Sequence, residues 1–378
     1  MVSGGRREQP RITPRQVLAK TGELSPYPDG PLMTIALKGN DRFRESSWWR
    51  NRAGGVLLAH GSPGRGRCAV GWSCTVTAGF GAVPNLLIQT GTKEMRMAEV
   101  HLAAGTVEYQ DTGGKGPVVV LLHGVAMDGS LWRNVVRPLR ADFRCVVPTL
   151  PLGGHRTPMR PDADLSVAGV ARLVAEFLDA LDLRDVTLVM SDWGGAQALV
   201  ALGRDERIGR LVITSCEAFD NFPPGVPGSN LYMSAKMPGG INLAFKLLKA
   251  KPMRRLPMTW GWMSKRPVPH EVMDAWFTPL WTSAEIRRDL RKYVLGVPQK
   301  SELLRWAEKL RDFDRPALVA WAAEDKVMPL EHGRRLAELL PKSELVEIAD
   351  SYTLIPEDQP ARLAAHIRSF LLTGKAAG

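Results

Sequence analysis

The sequence predicts an α/β fold, a mostly parallel, doubly wound sheet with a helical cap inserted over it. Three observations carry this. Short apolar runs rich in Val, Ile and Leu recur from about residue 97 onward. Stretches of helical period separate them. One long interval, about 217–312, breaks the rhythm without supplying a strand. Regular alternation of strand and helix favours parallel strands covered on both faces. It also sets ligands at the carboxyl ends of the strands.

In chain order, EVHLAAGTVEYQDTG (Glu99–Gly113) alternates about an Ala-Gly corner and reads as a β-hairpin. PVVVLLHG (Pro117–Gly124) and FRCVVPTL (Phe143–Leu150) read as buried strands. Val167, Val170, Leu173, Val174, Phe177, Leu178 and Leu181 recur at helical spacing. Val186–Met190 is the next strand, followed by a helix from Gly195 and the strand Arg210–Cys216. Pro316–Ala323 and Glu344–Ile348 close the set, and Leu363, Ile367, Phe370 and Leu371 give the last helix an apolar face.

The organisation expected is a flexible basic extension, residues 1–96, and one domain, 97–378, with its cap near 217–312. The extension is rich in Gly, Arg, Pro and Ser and lacks sustained periodicity. Met95 and Met97 stand before the first strand, so a native start at either is an alternative to a true tail. The net charge of +11 is uneven: residues 1–96 hold 14 Lys and Arg against 6 Asp and Glu. The remaining 282 residues hold 36 against 33, which argues against a nucleic-acid partner. Apolar runs fall short of the ~18–20 residues of a membrane span, so no membrane partner is expected. Four cysteines (Cys68, Cys74, Cys145, Cys216) without metal-like spacing, and no signal-like apolar region after the N-terminal arginines, point to free thiols and a cytoplasmic location. No metal or organic cofactor is implied, and the state expected is monomer or homodimer.

The chemistry gathers at VMSDWGGAQ (Val189–Gln197), where a strand meets a helix. A nucleophile on such a corner needs small neighbours. With Asp192 as nucleophile, Gly194 and Gly195 fall at the crowded positions; with Ser191, Trp193 would fall there. Asp192 is therefore preferred, and a serine esterase using Ser191 is the weaker reading. Capping of the following helix by Asp192 is the plain structural alternative.

Residues 97–378 resemble the α/β-hydrolase superfamily through LLHG (Leu121–Gly124), SDWGG (Ser191–Gly195), WAAEDKVMP (Trp321–Pro329) and PEDQPARLAAHIRSFL (Pro356–Leu371). SDWGG resembles the aspartate-nucleophile branch, which holds haloalkane dehalogenases and epoxide hydrolases. The resemblance implies attack by Asp192 on carbon, an ester intermediate, and an oxyanion held by the backbone N–H groups of Val125 and Trp193. It implies that the Trp193 indole, with a cap tryptophan, would hold a halide, or that a cap tyrosine, Tyr232 or Tyr293, would protonate an alkoxide. Asp325 is the preferred acid and Glu217 the alternative.

The same resemblance implies a histidine in the loop ADSYTLIPEDQP (Ala349–Pro360), yet Thr353 stands at that position. Threonine cannot accept a proton near neutral pH. His155, in PLGGHRTPM, is the best replacement from another loop, although a histidine bonded to backbone is the simpler reading; His123 reads as structural and His270 as part of the cap. The function expected is hydrolysis of a small, mostly apolar, haloalkane- or epoxide-like substrate with an atypical or missing base. The alternative is a ligand-binding pseudoenzyme of the same fold.

Overall fold

The computed structural model describes residues 48–50, 56–58 and 96–376. The remainder of the expected extension, including Cys68, Cys74 and Met95, lies outside the described residues. Within residues 1–88, Trp48–Arg50 pairs antiparallel with Val56–Leu58.

In the larger unit, β1 (Arg96–Leu102) and β2 (Gly105–Asp111) form the expected hairpin. β3 (Val118–Leu122), β4 (Arg144–Pro148), β5 (Val186–Asp192), β6 (Ile208–Cys216), β7 (Ala317–Ala322) and β8 (Ser343–Ile348) follow. One eight-stranded sheet results, ordered β8-β7-β6-β5-β3-β4-β2-β1. From β3 to β8 all neighbours are parallel, and the hairpin joins antiparallel through Tyr109 opposite Pro148. Every residue of β5 and β7 is buried, as covered parallel strands require. The chain reverses its direction of sheet growth between β3 and β5, and this switch point opens a crevice at their carboxyl ends.

The helices follow local sequence rules. α1 (Arg133–Leu139) is short, with Pro138 near its end. α2 (Val167–Ala180) starts at Ser166, whose hydroxyl accepts the Gly169 N–H, and buries Val170, Leu173, Val174, Phe177 and Leu178. Each such side chain contributes roughly 1.5–3 kcal/mol when fully buried. α3 (Gly195–Ala201) follows β5 directly. The closing helix, Pro360–Thr373, begins with proline and ends at Gly374 in the left-handed conformation.

Five helices lie between β6 and β7: α4 (Gly225–Lys236), α5 (Gly240–Leu247), α6 (His270–Thr282), α7 (Ala284–Leu295) and α8 (Lys300–Glu308). Of these, α8 packs on α3 and so returns to the layer that covers the sheet. Phe245 of α5 and Phe277 and Trp281 of α6 form an aromatic cluster with Trp260, in which Phe277 meets Phe245, Trp260 and Trp281 at centroid distances of 5.5, 4.7 and 6.0 Å. Buried Asp358 ties this insertion to the core. It accepts the Ser264 hydroxyl (3.1 Å) and the N–H groups of Lys265 (2.8 Å), Arg266 (2.8 Å) and Tyr352 (3.0 Å).

Candidate active site

The corner after β5 is strained and tightly filled. Asp192 has φ +65°, a left-handed conformation that costs a non-glycine residue about 1–3 kcal/mol. The Trp193 N–H closes the turn onto Ser191 O at 2.7 Å, and the Glu217 N–H reaches Asp192 O at 3.1 Å. A Cβ on Gly194 would overlap the Glu217 carbonyl, and one on Gly195 the Trp193 ring. A Cβ on Gly124 would overlap the Asp192 carboxylate itself. Both glycine-bearing motifs thus make room for one side chain and its turn.

Asp192 is buried, and its Oδ2 accepts the Val125 N–H at 2.9 Å. Burial raises its pKa to about 6; the Val125 bond opposes the rise and the charge of Asp325 adds to it. Asp325 follows β7. Its Oδ1 accepts the N–H groups of Val327 and Met328, both at 2.9 Å, and the Thr353 hydroxyl at 2.8 Å. Burial also raises Asp325 to about 6, against those bonds, and its Oδ2 is buried without a partner. Thr353 is fully buried, and the next residue donates its N–H to Met263 O of the insertion at 2.7 Å.

Glu217 lies directly after β6. The Tyr293 hydroxyl of α7 donates to its Oε2 at 3.0 Å. Burial first, and then the charge of Asp192, push the Glu217 carboxyl well above its ordinary range. The Tyr293 hydroxyl is pushed up by burial and by Glu217.

A cavity of about 450 Å³ joins Asp192 and Glu217 to the insertion; Asp325 and Thr353 do not line it. Val125, Asp192, Glu217 and Tyr293 line it, with Met233, Met237, Met253, Met258 and Met263 beside Phe245 and Trp260. The Trp260 indole N–H is buried without a partner. No histidine lines this cavity among the described residues. Nor does any group of three or more His, Cys, Asp and Glu among those residues suit a metal ion.

Several residues singled out from the sequence lie elsewhere. His155 is buried: its Nδ1 accepts the Gly153 N–H and its Nε2 faces Asp289 Oδ2, both at 3.3 Å. Both ring nitrogens are taken up by that loop and α7, and His155 does not line the cavity. His123 is similarly occupied, accepting the Leu150 N–H at Nε2 (2.8 Å) and bonding Gly124 O through Nδ1 (2.8 Å); burial lowers its pKa to about 4. The Trp193 N–H is turned to Ser191 O, so only Val125 presents its N–H to Asp192. The Trp193 indole packs beside Gly195 and does not line the cavity, although its N–H is buried and unpaired. Ser191 is fully buried with no partner for its hydroxyl. Tyr232 lies under Lys236, 4.4 Å from the ring centroid.

Sequence reasoning missed Asp358 as the joint between insertion and core, and Asp289 as the anchor of the His155 loop. Asp358 sits in an exposed-looking PED triplet and Asp289 in a charged helix, so neither carries a local mark of burial.

The profile described as the alpha/beta hydrolase fold matches residues 117–360. A haloalkane dehalogenase of Mesorhizobium japonicum is 31% identical over 149 residues, 38% of this chain and 48% of that protein, so the match spans about half of that relative's length. A 2-hydroxy-6-oxo-6-phenylhexa-2,4-dienoate hydrolase of Burkholderia cepacia is 27% identical over 68% of this chain and 87% of its own. Haloalkane dehalogenase 2 of Mycobacterium bovis is 26% identical over 70% and 90%. A loop variant of a Bradyrhizobium elkanii haloalkane dehalogenase superposes with TM-score 0.60 at 17% identity, covering 74% of this chain and 97% of that one. A candidate epoxide hydrolase of Pseudomonas aeruginosa gives TM-score 0.59 at 20% identity, covering 75% and 97%. At such identities the superpositions establish the fold alone. The profile spans more than half of the sequence, and on that ground the chain belongs to the α/β-hydrolase family, a hydrolase with haloalkane dehalogenase-like relatives.

Proposed function

We propose that Asp192 is the nucleophile of a hydrolase acting on small, mostly apolar electrophiles through a covalent ester. One observation carries the reading: the Asp192 carboxylate, on its strained turn, opens into the methionine-rich cavity. With a pKa of about 6 it is mainly ionised at neutral pH and needs no base to attack. In the first step an Asp192 oxygen bonds to the substrate carbon as the carbon–leaving-group bond breaks. In the second, water adds to the ester carbonyl and must lose a proton.

Thr353 on Asp325 supports the reading that the ordinary base is gone from this site. Glu217 offers a way around the loss when the leaving group is oxygen. A neutral Glu217, bonded to Tyr293, donates its proton to the oxygen of an opening epoxide and becomes a carboxylate. That carboxylate then takes one proton of the water adding to the ester carbonyl; as the carbonyl carbon–alkoxide bond breaks, the second water proton passes to the departing alkoxide, which leaves Glu217 neutral and Asp192 ionised. A departing halide takes no proton, so Glu217 stays neutral and the ester lingers. The unpaired indole N–H of Trp260, which lines the cavity, favours a halide as second reading, since it is a donor without an acceptor.

Intact-mass measurement after exposure to an epoxide and to an alkyl halide that fit the cavity separates these cases. Steady turnover of the epoxide and a lasting one-to-one adduct from the halide are expected, the latter mapped to Asp192. Its rate of formation should rise with pH through about 6 and level off above. Asp192→Asn should abolish both reactions, whereas Ser191→Ala should leave them nearly unchanged. Glu217→Gln should slow epoxide turnover by roughly 10²–10⁴-fold, the usual worth of positioned proton transfer, with little effect on halide attack. Equal loss in the Ser191 and Asp192 variants would refute the assignment of the nucleophile.

A further inference from the structure

Residues 221–270 hold eight Lys and Arg and no Asp or Glu. Lys236, Lys246, Lys249, Lys251 and Arg255 are exposed, and none pairs with a carboxylate among the described residues. Lys236 and Lys249 lie over the rings of Tyr232 and Trp281, and Arg255 bonds only backbone carbonyls, so all five charges stay uncompensated. The same segment carries large apolar side chains that are exposed. Met233 is 55% exposed, Met237 53%, Leu243 59%, Leu247 51% and Met258 52%. Single exposed apolar residues are ordinary, but a cluster of this kind marks an interaction surface. Four of the five, all but Leu243, also line the cavity that contains Asp192.

We infer that this face of the insertion docks on an anionic lipid bilayer and that the cavity receives its apolar substrate from the hydrocarbon layer. The charge pattern selects the occupant. A second copy of the face would set cation against cation, whereas anionic headgroups neutralise each Lys and Arg. The interleaving selects the depth. α5 carries Leu243 and Leu247 one turn apart with Lys246 beside them, so the leucines enter the acyl boundary while the lysine stays at headgroup level. The lack of a membrane-spanning run in the sequence does not bear on this contact, which needs no span. Delivery of substrate rests on the proposed function; docking does not.

The test is flotation of the full-length protein with vesicles of phosphatidylcholine, alone or mixed with phosphatidylglycerol. Binding to the mixed vesicles, weakened by salt, is expected, with little binding to phosphatidylcholine alone. The triple variant Lys246→Glu, Lys249→Glu, Lys251→Glu should weaken binding by on the order of 100-fold, given the usual contribution of each basic residue near such a surface. Leu243→Asp should weaken it as well. Both variants should melt at the wild-type temperature, because the changed side chains are exposed. Asp192→Asn should bind vesicles as wild type does, which separates docking from catalysis. Binding undiminished in both face variants would move the contact to another part of the chain and overturn the inference. Absence of binding to mixed vesicles would overturn it too, as would solution dimers, or complexes with an acidic protein, that the face variants abolish while vesicle binding stays intact.

Discussion

The sheet fixes two carboxylates through backbone bonds: Val125 N–H on Asp192, which lines the cavity, and Val327 and Met328 N–H on Asp325, which does not. The insertion side presents methionines, unbranched and polarizable, several of them half-exposed. One wall pins a carboxylate by a backbone hydrogen bond of 2.9 Å; the other is built from side chains that re-pack readily. Precision of chemistry and tolerance of substrate shape are therefore assigned to different parts of one chain.

This contrast can be broken most severely at the joint between the two walls. Asp358→Ala removes the acceptor of three backbone N–H groups and a hydroxyl. Leaving these donors without an acceptor should cost about 3–5 kcal/mol in all, lowering the melting temperature by on the order of 10 °C. Calorimetry reads this directly, and a shift below a couple of degrees would show that the walls hold together without the joint.

Next comes the floor itself. Gly124→Ala should displace the Asp192 carboxylate and slow ester formation by roughly 10²-fold, the usual effect of such a misplacement. Single-turnover mass spectrometry measures it.

A smaller effect sharpens the cost of the floor. Asp192 binds its proton more tightly folded than unfolded, because burial raises its pKa from 3.8 to about 6. Its contribution to stability is full below the unfolded value and is lost as pH rises through about 6. Asp192→Asn should thus melt above wild type at pH 8 by the equivalent of about 1–3 kcal/mol, and match it at pH 4. The smallest effect belongs to the roof: Met258→Leu should change stability by less than about 1.5 kcal/mol and alter KM more than kcat.

The legibility of the sequence follows the same division. Val186–Met190 could be read as a strand because a parallel strand buried on both faces must be apolar throughout. The turn at Asp192 could be read because only glycines fit the crowded positions after it. The partnership of Glu217 with Tyr293 could not be read, since it joins residues 76 positions apart across a helix-to-strand packing that leaves no local pattern. The Trp193 N–H also misled: a closed turn uses it on Ser191 O, and residue spacing carries no information on which way a peptide plane is rotated. The apolar face of α8 looks the same in sequence whether it covers the sheet or the cavity, so its packing on α3 leaves no local mark.

The Asp358 joint also sets a rule for recombination between relatives. Its four donors come from two distant stretches, Ser264–Arg266 and Tyr352. A chimera that exchanges the insertion alone would pair a foreign 264–266 stretch with the native 350–358 loop and leave buried amides facing a mismatched acceptor. Grafting both stretches together treats them as one transplantable module.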